Sequence, residues 1–332
     1  MDYHTFDIPA FQTAGGVTLD LQLAYRLYGE LSAARDNAIL VLTSYAAQHE
    51  DATALFAASP TLDLSRYCVI VINMFCNGLS SSPSNTPGPH DGPRFPAITV
   101  GDNVACQHRL LAEHFGISKL RLVMGFSMGA LQAFEWGSRY PDMVAALLPI
   151  CGAARVSPHN YLFLDGAKAA LMADQAFAAG DYDVQPQTGL LAFGRVYAGW
   201  MFSQAFFRDA HYRALGFADV EAVVKFAQAY FMRRDANDLL AMLRTWQHAD
   251  ISANDRFAGD FVAALRAIRA RAIVMPGETD LYFTVADSEF EVAHMPHAEL
   301  RAIRSPFGHV AGSGMDPIGK AAIDAAINAL IG

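Results

Sequence analysis

KLRLVMGFSMGALQAFEW, residues 119–136, is the stretch whose reading decides the fold. A leucine-rich apolar run from Leu120 to Met124 stops at Gly125, and apolar residues then return at Met128, Leu131, Ala133 and Phe134 with helical spacing. Strand, tight turn and helix follow in that order. Between them lies Gly125-Phe126-Ser127-Met128-Gly129, a G-x-S-x-G sequence. In this setting the turn forces the serine into a strained conformation at the top of the sheet, and the helix N-terminus aims main-chain N–H groups at any anion formed beside it. Gly125 and Gly129 are small because a Cβ at either would press on the neighbouring strand or helix. The segment reads as a nucleophile elbow carrying Ser127, so a base, an orienting acid and a second oxyanion donor must come from elsewhere.

The chain of 332 residues is 53% hydrophobic and 17% charged, which suits a well-packed globule and not a disordered chain. With 33 acidic against 24 basic side chains, a formal charge of −9 and no Lys/Arg-rich run, nothing draws it to nucleic acid or to an anionic membrane. MDYHTFDIPAF at the start lacks the basic and apolar regions of a signal peptide, and no apolar run approaches the roughly 20 residues that span a bilayer. A cytoplasmic location is the expectation. Cys68, Cys76, Cys106 and Cys151 show neither a C-x-x-C pair nor metal-ligand spacing, and are expected to be reduced and mostly buried, with Cys76 in a loop beside the site. There is no H-E-x-x-H, and neither a metal nor a cofactor is expected.

Residues Thr18 to Tyr28 alternate apolar with polar after the turn signal Gly15-Gly16, as an antiparallel hairpin with one wet face would. Ala38 to Leu42, Cys68 to Ile72, Leu120 to Met124 and Val144 to Ile150 are short apolar runs of the kind buried central strands show, and Asp102 to Phe115 is spaced as a helix ending at Gly116. Such alternation implies a largely parallel sheet covered on both faces. From about Ala153 to Phe261 the strand signal gives way to Ala, Phe, Tyr, Met and Trp at helical spacings. An all-helical cap over 153–265, inserted after the sixth strand into a core of 1–152 and 266–332, would roof the elbow. Strands resume at Arg271 to Met275 and Leu300 to Ile303, and an alanine-rich helix from Pro317 to Leu330 closes the chain.

In folds of this kind the acid and then the histidine follow the serine, each in the loop after a late strand. Pro276-Gly277-Glu278-Thr279-Asp280 follows one such strand and Ser305-Pro306-Phe307-Gly308-His309 the next. A serine hydroxyl is a poor nucleophile until an imidazole takes its proton, and a carboxylate must hold that imidazole in the right tautomer. His309 is therefore read as the base and Asp280 as its orienting acid, with Glu278 the rival acid and His294 and His297 weaker bases. The oxyanion hole should use the N–H of Met128 and one N–H from the loop Thr43-Ser44-Tyr45-Ala46.

The chain resembles the homoserine O-acetyltransferase family of α/β-hydrolases, and more closely its acetate-esterase members. LDLQLAYRLYGEL, GFSMGALQAFEW, RYPDMV, GLLAFGRVYAGW, RRDANDLLAML, ETDLYF and SPFGH carry the likeness, which runs nearly end to end. It implies an α/β-hydrolase fold, a mostly parallel eight-stranded sheet with the cap after the sixth strand, and Tyr45 as the second oxyanion donor. It also implies a cap arginine for an amino-acid carboxylate, for which Arg195 is the positional candidate ahead of Arg94 and Arg208. Asp235 and Asn237 are expected to brace the cap. Where the acetyltransferases typically read G-G-S-M-G-G, Phe126 and Ala130 replace two glycines, and NMFCNGLSSSPSN replaces a glycine- and threonine-rich loop. Phe126 thus becomes a candidate substrate contact.

The expectation is a serine hydrolase for small acyl esters, acetyl above all, acting through an acyl-enzyme on Ser127. The alternative is transfer of acetyl from acetyl-CoA to homoserine or another hydroxyl compound, and a non-catalytic scaffold is disfavoured by the intact trio. The aromatic cap residues favour a narrow apolar site for a small-molecule ester. The molecule is expected to be a monomer, or a homodimer joined through the cap.

Overall fold

The computed structural model describes residues 2–57 and 59–332. Its eight strands form one sheet: β1 (His4–Gln12), β2 (Thr18–Tyr28), β3 (Ala38–Leu42), β4 (Cys68–Ile72), β5 (Leu122–Phe126), β6 (Ala146–Ile150), β7 (Arg271–Val274) and β8 (Ala298–Leu300). They lie in the order β1-β2-β4-β3-β5-β6-β7-β8. β1 and β2 pair antiparallel, β2 runs antiparallel to β4, and every later pairing is parallel. Residue pattern explains the difference. On β2, Leu19, Leu21 and Leu23 are buried while Thr18, Asp20 and Gln22 face water, whereas all five residues of β3 and of β4 are buried, as strands covered on both faces must be.

One face of the sheet is covered by α1 (Val100–Arg109) and α2 (Met128–Arg139), the other by α10 (Pro317–Ile331), and the core divides accordingly into two apolar clusters. α1 begins two residues earlier than its apolar spacing suggests, because Thr99 and Asp102 form a reciprocal capping box. Its last turn, 110–114, widens to a π-helix before Gly116 stops it at φ +62°. α10 starts at Pro317 behind Asp316, whose carboxylate accepts from the N–H groups of Ile318 and Gly319.

Between β6 and β7 lie six α-helices among the described residues: α3 (Pro158–Met172), α4 (Gln187–Met201), α5 (Gln204–Arg208), α6 (Val220–Met232), α7 (Ala236–Gln247) and α8 (Phe261–Arg266). Ser157, Ser203, Asp219, Asp235 and Asp260 cap five of them through side-chain oxygens, each bonded to an N–H of the first turn. α9 (Val285–His294) joins β7 to β8. β8 is shorter than the apolar run at Leu300 to Ile303 suggests: it ends at Leu300, and Ile303 makes only an isolated bridge to Gly277. No helix among the described residues is long and apolar enough to cross a membrane.

Candidate active site

β5 ends at Phe126, and Ser127 takes φ 57°, ψ −120° before α2 begins at Met128. This backbone is costly for a non-glycine residue and persists only where the surroundings enforce it. The surroundings here are tight. A Cβ on Gly125 would lie 2.3 Å from the carbonyl carbon of Gly129, and one on Gly129 would lie 2.4 Å from the carbonyl oxygen of Leu42. The N–H of Ser127 donates to the carbonyl of Ile150 at 2.9 Å, which ties the elbow to the end of β6.

Asp280 and His309 meet beside it. His309 Nδ1 lies 2.7 Å from Asp280 Oδ2, while Asp280 Oδ1 accepts from the N–H of Tyr282 at 2.7 Å. A buried carboxylate bonded on both oxygens fixes the imidazole with its proton on Nδ1 and leaves Nε2 for other work. Thr279 Oγ1 links the two loops, donating to the Ser305 carbonyl at 2.8 Å and accepting from the N–H of Gly308 at 3.1 Å. Tyr282 packs edge-on against the imidazole at 4.5 Å between ring centres, and Phe126 lies on it at 4.6 Å. Thr279 and Tyr282 were not singled out in the sequence. The available signal was their position flanking a loop aspartate, since a residue two beyond such a carboxylate often donates its N–H to it.

Glu278 is exposed and makes no hydrogen bond or ion pair with His309 among the described residues, whereas Asp280 is buried and bonds it. His294 bonds the carbonyl of Phe290 one turn earlier in its own helix, at 2.8 Å, and His297 is exposed. Cys151, not Cys76, is the cysteine beside the pair. Donor atoms of Cys151, Asp280 and His309 lie within 4.8 Å of one another, but the His309–Asp280 bond already occupies two of them and burial pushes the Cys151 thiol well up, so this is a hydrogen-bonded cluster and not a ligand set.

Neither the N–H of Met128 nor that of Tyr45 has an acceptor among the described residues; the first belongs to the opening turn of α2, whose N–H groups have no partner within the helix. The Tyr45 loop is held from above. Its hydroxyl donates to the carbonyl of Leu239 on α7 at 2.9 Å, its ring stacks on Tyr197 of α4 at 5.7 Å, and the next carbonyl, that of Ala46, accepts from Arg234 Nε at 2.7 Å.

Ser127 and His309 line one inner cavity of about 80 Å³ with Tyr45, Tyr197, Trp246 and Tyr282. The Ser127 hydroxyl makes no hydrogen bond among the described residues; such contacts often tighten only when substrate is present. An outer cavity of about 480 Å³ adjoins it, and Ser44, Phe126, Tyr230 and His309 line both.

Arg195 lines neither cavity. It is 56% exposed and paired with Glu221 of α6 at 2.9 Å, which corrects its assignment to a substrate carboxylate. Arg94 pairs with Asp91 and Asp181, and Arg208 with Asp209, all at the surface. Asp235 caps α7 and accepts from the Tyr182 hydroxyl and from Gln185, while Asn237 Nδ2 donates to the carbonyl of Gly180, so both brace the helical segment. Asp238, one residue on, reaches the loop after β4: it accepts from the Ser84 hydroxyl at 2.6 Å and its N–H at 2.9 Å, and burial lifts its carboxyl to about 7.

A family model described as alpha/beta hydrolase fold matches residues 38–311. The chain is 41% identical to an ethyl acetate hydrolase of Pseudomonas veronii over 298 residues, which is 89% of this chain and 85% of that protein. It superposes on the structure of the acetyl esterase MekB with a TM-score of 0.96 and 38% identity, covering 99% of this chain and 96% of the other. A homoserine O-acetyltransferase of Trichormus variabilis is 30% identical over 322 residues, 93% of this chain and 88% of that protein.

Proposed function

The chain belongs to the alpha/beta hydrolase fold family, and from that premise we propose that it is a carboxylic ester hydrolase that cleaves small acyl esters, acetates above all, through an acyl-enzyme on Ser127. The observation that carries the reading is a strained serine at φ 57° sharing one small cavity with an imidazole that a buried aspartate holds at 2.7 Å.

In this reading His309 Nε2 takes the Ser127 proton as Oγ attacks the ester carbonyl. The tetrahedral oxyanion lies against the N–H groups of Met128 and Tyr45, each such donor being worth on the order of 3 kcal/mol in the barrier. Collapse breaks the bond to the alcohol oxygen, which leaves with the proton from His309. Water then gives a proton to His309, attacks the acyl carbon and releases the acid, and Ser127 recovers its proton. The aromatic walls of the inner cavity leave room for a short acyl group, and residues 153–265 serve as the lid that excludes bulk water.

Acyl transfer to homoserine would need a cation for the amino-acid carboxylate. The inner cavity has neither arginine nor lysine among its described lining residues, and Arg233 in the outer lining is already paired with Asp51 at 3.5 Å, which favours water as acceptor. Incubation with p-nitrophenyl acetate should give a burst of nitrophenol followed by turnover, and Ser127→Ala should lose on the order of 10⁶-fold in kcat while melting at nearly the same temperature. Acetyl-CoA turnover that depends on added homoserine would replace hydrolysis by transfer, and an active Ser127→Ala protein would remove this serine from the mechanism.

A further inference from the structure

The geometry points to an alcohol half of the substrate that is apolar and longer than ethyl, seated in the outer cavity; this rests on the serine-esterase reading above. Of Ser127 and His309, only His309 lines both cavities, whereas Ser127 lines the inner one alone. The leaving oxygen must face the group that protonates it, so the alcohol lies on the imidazole side and the acyl group stays with Ser127. Beyond the imidazole the space opens to about six times the inner volume, 480 against 80 Å³.

Its walls decide the chemistry. Ala52, Leu55, Phe126, Phe226, Ala229 and Met315 supply apolar surface from the loop after β3, the end of β5, α6 and the stretch after His309. The two charged residues in the lining, Asp51 and Arg233, pair with each other at 3.5 Å, and Asp51 also takes Arg234 and the N–H of Gln48. Ser313 Oγ is spent on the carbonyl of Val310. Tyr230 Oη donates to the Tyr45 carbonyl at 3.3 Å, so among the described residues lining the outer cavity Ser44, which borders both cavities, carries the one side-chain hydroxyl without a partner. Beyond Ser44 what recognises an alcohol is apolar area, and its reward grows with each methylene buried.

The test is a matrix of esters with the purified full chain. From ethyl to butyl to hexyl acetate, kcat/KM should rise about two- to fourfold per methylene. 2-Methoxyethyl acetate, close in length to butyl acetate but more polar, should be the slower of those two, and lengthening the acyl side from ethyl acetate to ethyl butyrate should lower kcat/KM. Ala229→Trp, at an exposed position on the cavity wall, should cut the hexyl-to-ethyl ratio about tenfold. Good turnover of ethyl acetate with a flat or falling alkyl series overturns the alcohol assignment and leaves the esterase reading intact. So does a hexyl-to-ethyl ratio that Ala229→Trp does not change. No hydrolysis of any acetate overturns the esterase reading itself, and the assignment with it.

Discussion

An imidazole can serve as a base only if something else decides which nitrogen holds its proton. Asp280 does this from a buried position, with one oxygen on His309 Nδ1 and the other on the N–H of Tyr282. Asp280→Asn keeps the shape but offers an amide that can turn its NH₂ to Nδ1 and select the wrong tautomer, so kcat should fall about 10⁴-fold. Steady-state kinetics beside a melting curve check this; a loss below tenfold would mean that another group orients the ring. Gly129→Ala acts on the backbone, since its Cβ would meet the Leu42 carbonyl at 2.4 Å, and should cost about 1–3 kcal/mol or prevent folding, as a denaturant titration would measure. Both positions could be read in the sequence because chemistry or sterics admits few residue types there. Arg195 could not be placed, because its partner Glu221 lies 26 positions away on another helix and no local pattern says which faces of α4 and α6 meet.

At the scale of elements, the Tyr45 loop and α7 form a joint between the sheet and the helices above it. The Tyr45 hydroxyl bonds the Leu239 carbonyl, Arg234 bonds the Ala46 carbonyl, and Tyr230 reaches the Tyr45 carbonyl at 3.3 Å. Tyr45→Phe removes the first of these while keeping the ring stack and the main-chain N–H. It should therefore cost about 1 kcal/mol of stability by denaturant titration and change kcat less than tenfold. A far larger kinetic loss would show that the hydroxyl, and not the N–H, is what substrate needs. Continuous apolar runs made β3, β4 and β6 legible, because a strand buried on both faces has no polar position to confuse the pattern. β8 was less so: Arg301 and Ile303 still bond the carbonyls of Val274 and Pro276, but the backbone turns irregular after Leu300 to deliver the His309 loop, and hydropathy cannot register that turn.

Across the whole molecule, the feature most exposed to pH is a carboxyl group buried where the chain leaves β6. Glu291 of α9 is 2% exposed; one oxygen accepts from the N–H of Ala154 at 2.6 Å, and the other has no partner among the described residues. Burial, with a smaller push from Asp287, lifts its pKa from near 4.5 to about 8, and Asp238 is raised in the same sense to about 7. A raised carboxyl pKa means that the folded chain keeps a proton the unfolded chain has released. For Glu291 alone, below about pH 4 both states hold the proton and pH has no leverage; between about 4.5 and 8 its contribution to stability falls as pH rises, by up to about 1.4 kcal/mol per unit; above 8 both states are ionised and the slope vanishes. Over that window the loss is on the order of 3–5 kcal/mol, a large part of a typical 5–15 kcal/mol. Glu291→Gln keeps the bond to Ala154 and cannot ionise, so its stability should decline less steeply than that of the parent from pH 5 to pH 8.5, leaving the variant ahead at the alkaline end. Urea titrations of both proteins at pH 5, 7 and 8.5 measure the difference, and parallel curves would mean that Glu291 enters the folded state already ionised.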